Sequence, residues 1–88
     1  MEIDDFIQSL NLPFEGEMRG NQYIINVETS NDFSDLFSTI SMNDKLHLED
    51  KSKASKEESE FRFTDGYFDV FLQANYDNDT YSCTIEER

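Results

Sequence analysis

The chain has 88 residues with no tryptophan, one cysteine, one histidine, one proline and three glycines. A single cysteine excludes a disulfide framework, and with it the small secreted scaffolds that depend on one. No apolar run approaches the length of a membrane span, and the opening MEIDDFIQSL is acidic where a signal peptide is basic. These absences predict a cytoplasmic protein. The sharpest shortage is of positive charge: 7 Lys and Arg stand against 20 Asp and Glu, a formal net charge of −13. No Lys or Arg occurs from Gly20 to Asp44 or from Phe63 to Glu87. Such a field excludes DNA, RNA and anionic membranes as direct partners and points to a basic protein partner.

What is present is a core. Eight Phe and four Tyr within 36% hydrophobic residues are more than a disordered acidic tail carries. The length allows one domain with a modest interior. The clearest pattern runs from Glu60 to Glu87 as two successive β-hairpins. Asp65-Gly66 predicts a two-residue turn with Thr64 opposite Tyr67, Phe63 opposite Phe68 and Phe61 opposite Val70. A second turn at Asp77-Asn78 sets Ala74 opposite Tyr81, Leu72 opposite Cys83 and Val70 opposite Ile85. Both registers gather Phe61, Phe63, Phe68, Val70, Leu72, Ala74, Tyr81, Cys83 and Ile85 on one face.

Upstream, Ile3, Phe6, Ile7 and Leu10 fall at helical spacing, predicting an amphipathic helix over 3–11 that Asn11 and Pro13 end. Phe14 to Glu28 reads as a hairpin turning at Gly20-Asn21, with Arg19 opposite Gln22. Phe14, Met18, Tyr23, Ile25 and Val27 share one face, and Glu15, Glu17, Ile24, Asn26 and Glu28 the other. Phe33, Leu36, Phe37 and Ile40 repeat the helical stripe after an N-cap at Ser30 or Asn31. Lys45 to Glu49 reads as a short strand, and 49–60, nearly free of apolar residues, as a mobile charged loop. The expected fold is α+β: five to six antiparallel strands with two short helices on one face, in the order α-ββ-α-β-βββ.

Catalytic chemistry is not expected. His47, between Leu46 and Leu48, points away from the core, and Cys83 faces inward opposite Leu72, so no nucleophile has a base beside it. Asn75, Asp77, Asp79 and Glu86 match positions 1, 3, 5 and 12 of a calcium loop. Thr80 stands where position 6 requires glycine, and strands flank the stretch instead of helices. Neither metal nor cofactor is expected.

Charge placement is more informative. Glu28 ends a strand and leads into Asp32 and Asp35, three apart on a helix and so about 5–6 Å from each other. Glu15 and Glu17, two apart on a strand face, are about 6–7 Å apart. A row of carboxylates at such spacing fits sites built for successive phosphates. Five of the seven bases fall between Lys45 and Arg62, leaving the acids elsewhere undiluted. Asp69 adds to the acids of the meander. Phe71, expected opposite Glu60 on the outer face, and Tyr67 at the turn offer apolar anchors beside the acids.

In this layout the chain resembles the small phage-encoded inhibitors that imitate DNA. Its order is similar to that of the uracil-DNA glycosylase inhibitors: a short helix, a strand ending in an acid, an acid-bearing second helix, then an antiparallel meander. In that family an acid followed by a hydroxyl leads to acids on the second helix, which here corresponds to Glu28-Thr29, then Asp32 and Asp35. The extra strand before Glu28 and the shorter link to the helix depart from that pattern, so the target is not carried over. The opening IDDFI also resembles the first helix of some small acidic anti-CRISPR proteins. The resemblance implies a non-enzymatic inhibitor of a nuclease, glycosylase or Cas effector. The alternative reading is an immunity-type or regulatory protein that binds one partner at a site unrelated to nucleic acid.

Overall fold

The alternation of the C-terminal meander becomes the floor of the core in the computed structural model, which describes residues 1–52 and 57–88. The elements are α1 (Ile3–Ser9), β1 (Glu17–Arg19), β2 (Gln22–Val27), α2 (Ser30–Ser41), β3 (His47–Ser52), β4 (Glu58–Thr64), β5 (Phe68–Asn75) and β6 (Thr80–Glu87). All six strands join one antiparallel sheet in the order β1-β2-β6-β5-β4-β3. Both helices pack on the face that carries Phe63, Val70, Leu72, Ala74, Tyr81, Cys83 and Ile85, all buried. The α+β architecture is the one the hydrophobic periods call for. No helix of the described residues is long and apolar enough to cross a membrane.

The helices are fastened by aromatic side chains. Phe6 of α1 stacks on Phe68 with ring centroids 4.4 Å apart and planes 13° from parallel. Phe37 of α2 meets Phe61 and Phe63 edge-on, and Phe33 tilts against Tyr81. Each such side chain contributes about 1.5–3 kcal/mol by leaving water. That contribution holds in place a seven-residue α1, far too short to persist alone. Leu10 caps α1 and Asn11 takes a left-handed φ of 53°, so the helix stops at Ser9, before the expected 11.

Three local expectations are corrected. The first meander turn is wider than two residues: Thr64 pairs with Asp69, Phe63 with Val70, Phe61 with Leu72 and Arg62 with Phe71. The reason is a pair of polar side chains. Asp65 Oδ1 accepts the N–H groups of Tyr67 and Phe68, while Thr64 Oγ1 accepts from Gly66 N–H and donates to the Phe68 carbonyl. These bonds stabilise a four-residue connection through Gly66 at φ 98°. Because the slip is two residues, every side chain keeps its expected face. Phe71 accordingly lies between Arg62 and Thr84, and Glu60 faces Gln73. The second turn has the expected register, with Ala74 opposite Tyr81, Leu72 opposite Cys83 and Val70 opposite Ile85.

The second correction is at β3, which runs from His47 to Ser52 and not from Lys45 to Glu49. Residues 50–52 are paired with β4, which begins at Glu58, so strand replaces much of the loop expected over 49–60. Residues 53–56 lie outside the described residues. Charged side chains suit an edge strand. Lys51 pairs with Phe61 and holds its ammonium 5.7 Å from that ring's centroid. A bulge between Leu48 and Asp50 breaks the ladder. Thirdly, β1 is limited to Glu17–Arg19, although its register with β2 is the expected one. Gly16 ends it: a Cβ there would lie 2.2 Å from the Ile24 carbonyl oxygen, so only glycine passes this close to β2.

Candidate functional site

The acids singled out by the sequence begin where β2 hands over to α2. Val27, the last residue of β2, is buried, and Glu28 beyond it is exposed. Thr29, not Ser30 or Asn31, is the N-cap. Its backbone is extended (φ −126°, ψ 152°), and Oγ1 accepts the Asp32 N–H at 3.1 Å. A β-branched residue suits that extended cap geometry, and the hydroxyl satisfies one of the helix's orphan donors. Asp32 is therefore in the first turn, where the helix dipole favours a carboxylate. Asp35, one turn further, is exposed. The cap thus places Glu28, Asp32 and Asp35 in succession along one corner, and none of the three makes an ion pair with a described residue.

Pairing of β2 with β6 brings other acids to that corner. Val27 lies opposite Tyr81, so Glu28 lies alongside the approach to the β5–β6 turn. In this turn Asp79 takes φ 50° and accepts a 2.9 Å hydrogen bond from Tyr81 Oη, and Asp77 is exposed. Tyr81 lost from water, together with its bond to Asp79, pushes its phenol above the ordinary range. Tyr76 packs on Tyr81 and joins Ser30, Phe33, Phe37 and Phe61 around a groove of about 250 Å³. Asp77 and Asp79 are the residues that sequence reasoning missed. Their available signal was the calcium-loop spacing, which concerned a metal and not a shared surface. That spacing does not assemble, since Glu86 is seven residues from Asp79 along β6, about 23 Å. Glu86 instead accepts from Gln22 Nε2 at 2.9 Å. Among the described residues no three His, Cys, Asp or Glu side chains converge as metal ligands.

The remaining expected site residues are dispersed. Glu15 and Glu17 are exposed, but Glu17 lies opposite Ile24, four residues or about 13 Å along β2 from Glu28. Arg19 bonds Glu17 at 3.0 Å. Phe71 is half-buried on the uncovered sheet face, in a row with Arg62, Thr84 and Ile24. Asp69 is only 7% exposed, with Oδ1 3.5 Å from Arg88 Nε, so its carboxylate is turned into the protein's own ion pairs. Tyr67, 75% exposed, stands at the opposite end of the sheet from α2's N-terminus. His47 is exposed. Cys83 is fully buried, and burial pushes its thiol up to about 12.

Charge is divided between the two faces. Neither helix contains a Lys or Arg, while Asp4, Asp5, Asp32 and Asp35 lie on them. All three arginines are on the uncovered face of the sheet, and each is held by a carboxylate. Arg19 binds Glu17, Arg62 lies 3.6 Å from Glu49, and Arg88 bridges Glu49 and Asp69. The Arg88 hydrogen bond, with the charges of Arg88 and Arg62, holds the Glu49 carboxyl below its usual range. The arginines thus lie on the sheet face, while the helical side has Lys45 beside Leu10 of α1 and Lys51 over the Phe61 ring, away from Glu28, Asp32 and Asp35.

Comparison with known proteins finds no family model, no curated protein and no solved structure that matches this chain.

Proposed function

We propose that this chain is an inhibitory protein that imitates nucleic acid. It places the carboxylates of Glu28, Asp32 and Asp35 in phosphate-binding positions of a basic groove on a nuclease, glycosylase or Cas-type effector. It acts in the bacterial cytoplasm and performs no catalysis. The observation that carries this reading is the placement of charge: the arginines are engaged on the sheet face, and Glu28, Asp32 and Asp35 form no ion pair with a described residue. Asp77 and Asp79 extend the row from the other side of Glu28, and the groove beside α2 gives a protein partner apolar surface next to the charge. A net charge of −13 repels a nucleic acid itself, so the contact is with a basic protein.

A second reading, a regulatory or immunity-type protein with one partner at an unrelated site, is favoured by exposed Tyr67 at the far end of the sheet. Competition separates the two. Tagged protein is used to capture partners from bacterial lysate with and without excess DNA and RNA. A nucleic-acid enzyme lost on adding competitor supports mimicry. A partner retained regardless moves the assignment to the second reading.

A further inference from the structure

The end of the sheet farthest from Glu28 carries a second surface with a different character. Two cavities adjoin there, of about 490 and 540 Å³. Tyr67 and Met1 line the first, Ile3 and Met18 the second, and Glu87, the last residue of β6, and Arg88 beyond it line both. Tyr67 is 75% exposed, and Met1 and Met18 are exposed as well. Met18 lies opposite Tyr23 on the core side of the sheet, but α1 begins only at Ile3 and leaves that margin bare.

The surface is held in shape. Asp65 fixes the turn through the N–H groups of Tyr67 and Phe68, and the Tyr67 carbonyl accepts the Arg88 N–H at 2.9 Å. The aromatic ring is therefore presented from a braced turn, which lowers the ordering cost of a contact. Methionines beside it adapt to irregular apolar partners. Asp65, Glu86 and Glu87 line the same cavities, while the guanidinium of Arg88 is engaged by Glu49 and Asp69. Exposed methionine and tyrosine side chains beside Asp65, Glu86 and Glu87 are complementary to a segment bearing both large aliphatic and basic side chains. A second copy of this chain, at −13, and an anionic membrane are both repelled by those acids.

We propose that this end of the sheet, around Tyr67, Ile3 and Met18, docks a basic amphipathic segment of a partner protein. The site is separate from the carboxylate corner and does not depend on nucleic-acid mimicry. The chain contains three methionines, Met1, Met18 and Met42. Met42 is 79% exposed and lines neither cavity, so methyl-labelled methionine provides the readout and its control. The probe is a synthetic helix-forming peptide of Leu and Lys, with an oligolysine of equal charge beside it. Addition of the Leu–Lys peptide is expected to shift the Met18 methyl saturably and leave Met42 in place, with oligolysine far weaker. Tyr67→Ala, at an exposed ring, is expected to weaken binding about tenfold, whereas Asp32→Lys/Asp35→Lys leaves the Met18 shift intact. Equal shifts at Met18 and Met42, equal binding of oligolysine, or loss of binding only in the α2 variant overturns the proposal. A Met18 shift that depends on protein concentration without peptide also overturns it, in favour of self-association.

Discussion

Phe6 and Phe68 stack almost parallel at 4.4 Å, the ring of a seven-residue helix laid on the first residue of β5. Both are nearly fully buried, so the contact fastens α1 to the sheet together with Leu10, Ile3 and Ile7. Phe6→Ala removes it and opens a cavity that short α1 cannot fill without shifting. A loss of about 3–5 kcal/mol is expected, read as a lower urea midpoint. A change below 1 kcal/mol would mean that α1 contributes little to the fold.

The cap and the charges of α2 are separable. Thr29→Ala removes the acceptor for the Asp32 N–H and is expected to cost about 1 kcal/mol with partner binding retained. Asp32→Lys/Asp35→Lys is expected to abolish capture of the target. The same result from both variants would tie binding to helix integrity and not to carboxylates.

Stability should respond to pH through Glu49. Its carboxyl titrates below the ordinary glutamate value of 4.5 because Arg88 and Arg62 favour the ionised form. Its contribution is therefore present above 4.5 and is lost as pH falls through the lower, folded value. Melting temperatures of the natural chain and Glu49→Gln should differ by a constant amount above 4.5 and converge below it. Divergence on acidification would contradict the ion-pair assignment.

Cys83, with its thiol pushed up to about 12 and no exposure, should react with a thiol reagent only as the protein unfolds. Labelling at neutral pH is expected to follow the urea unfolding curve. Rapid modification of the native protein would show that the core opens locally at β6.

Added salt should raise the melting temperature, because the chain carries a net charge of −13 and Asp4, Asp5, Asp32 and Asp35 lie on helices that contain no Lys or Arg. A flat response from low to moderate salt would place those carboxylates too far apart to repel.

Which residues face inward was legible from the sequence, because that information is local. Periods of 2 and 3.6 put Leu72, Cys83, Leu36 and Ile40 in the core whatever the neighbours do. The Gly20-Asn21 and Asp77-Asn78 turns likewise set their registers. The first meander turn was not legible, since Thr64 and Asp65 bond across it only once Phe68 is in place. Nor was β3, whose charged run is strand only because Phe61 and Arg62 lie beside it.

The candidate site divides along the same line. Adjacency in the chain already joined Glu28, Asp32 and Asp35. Only the tertiary structure could bring Asp79 beside them, because the pairing of β2 with β6 spans more than fifty residues and is chosen by the fit of a whole core. The pairing of β5 with β6, together with the ladder out to β3, carries Arg88 to Asp69 and Glu49, and so decides which acids are paired. Composition determined how much charge the chain bears; where it is left unpaired depended on contacts that no local pattern specifies.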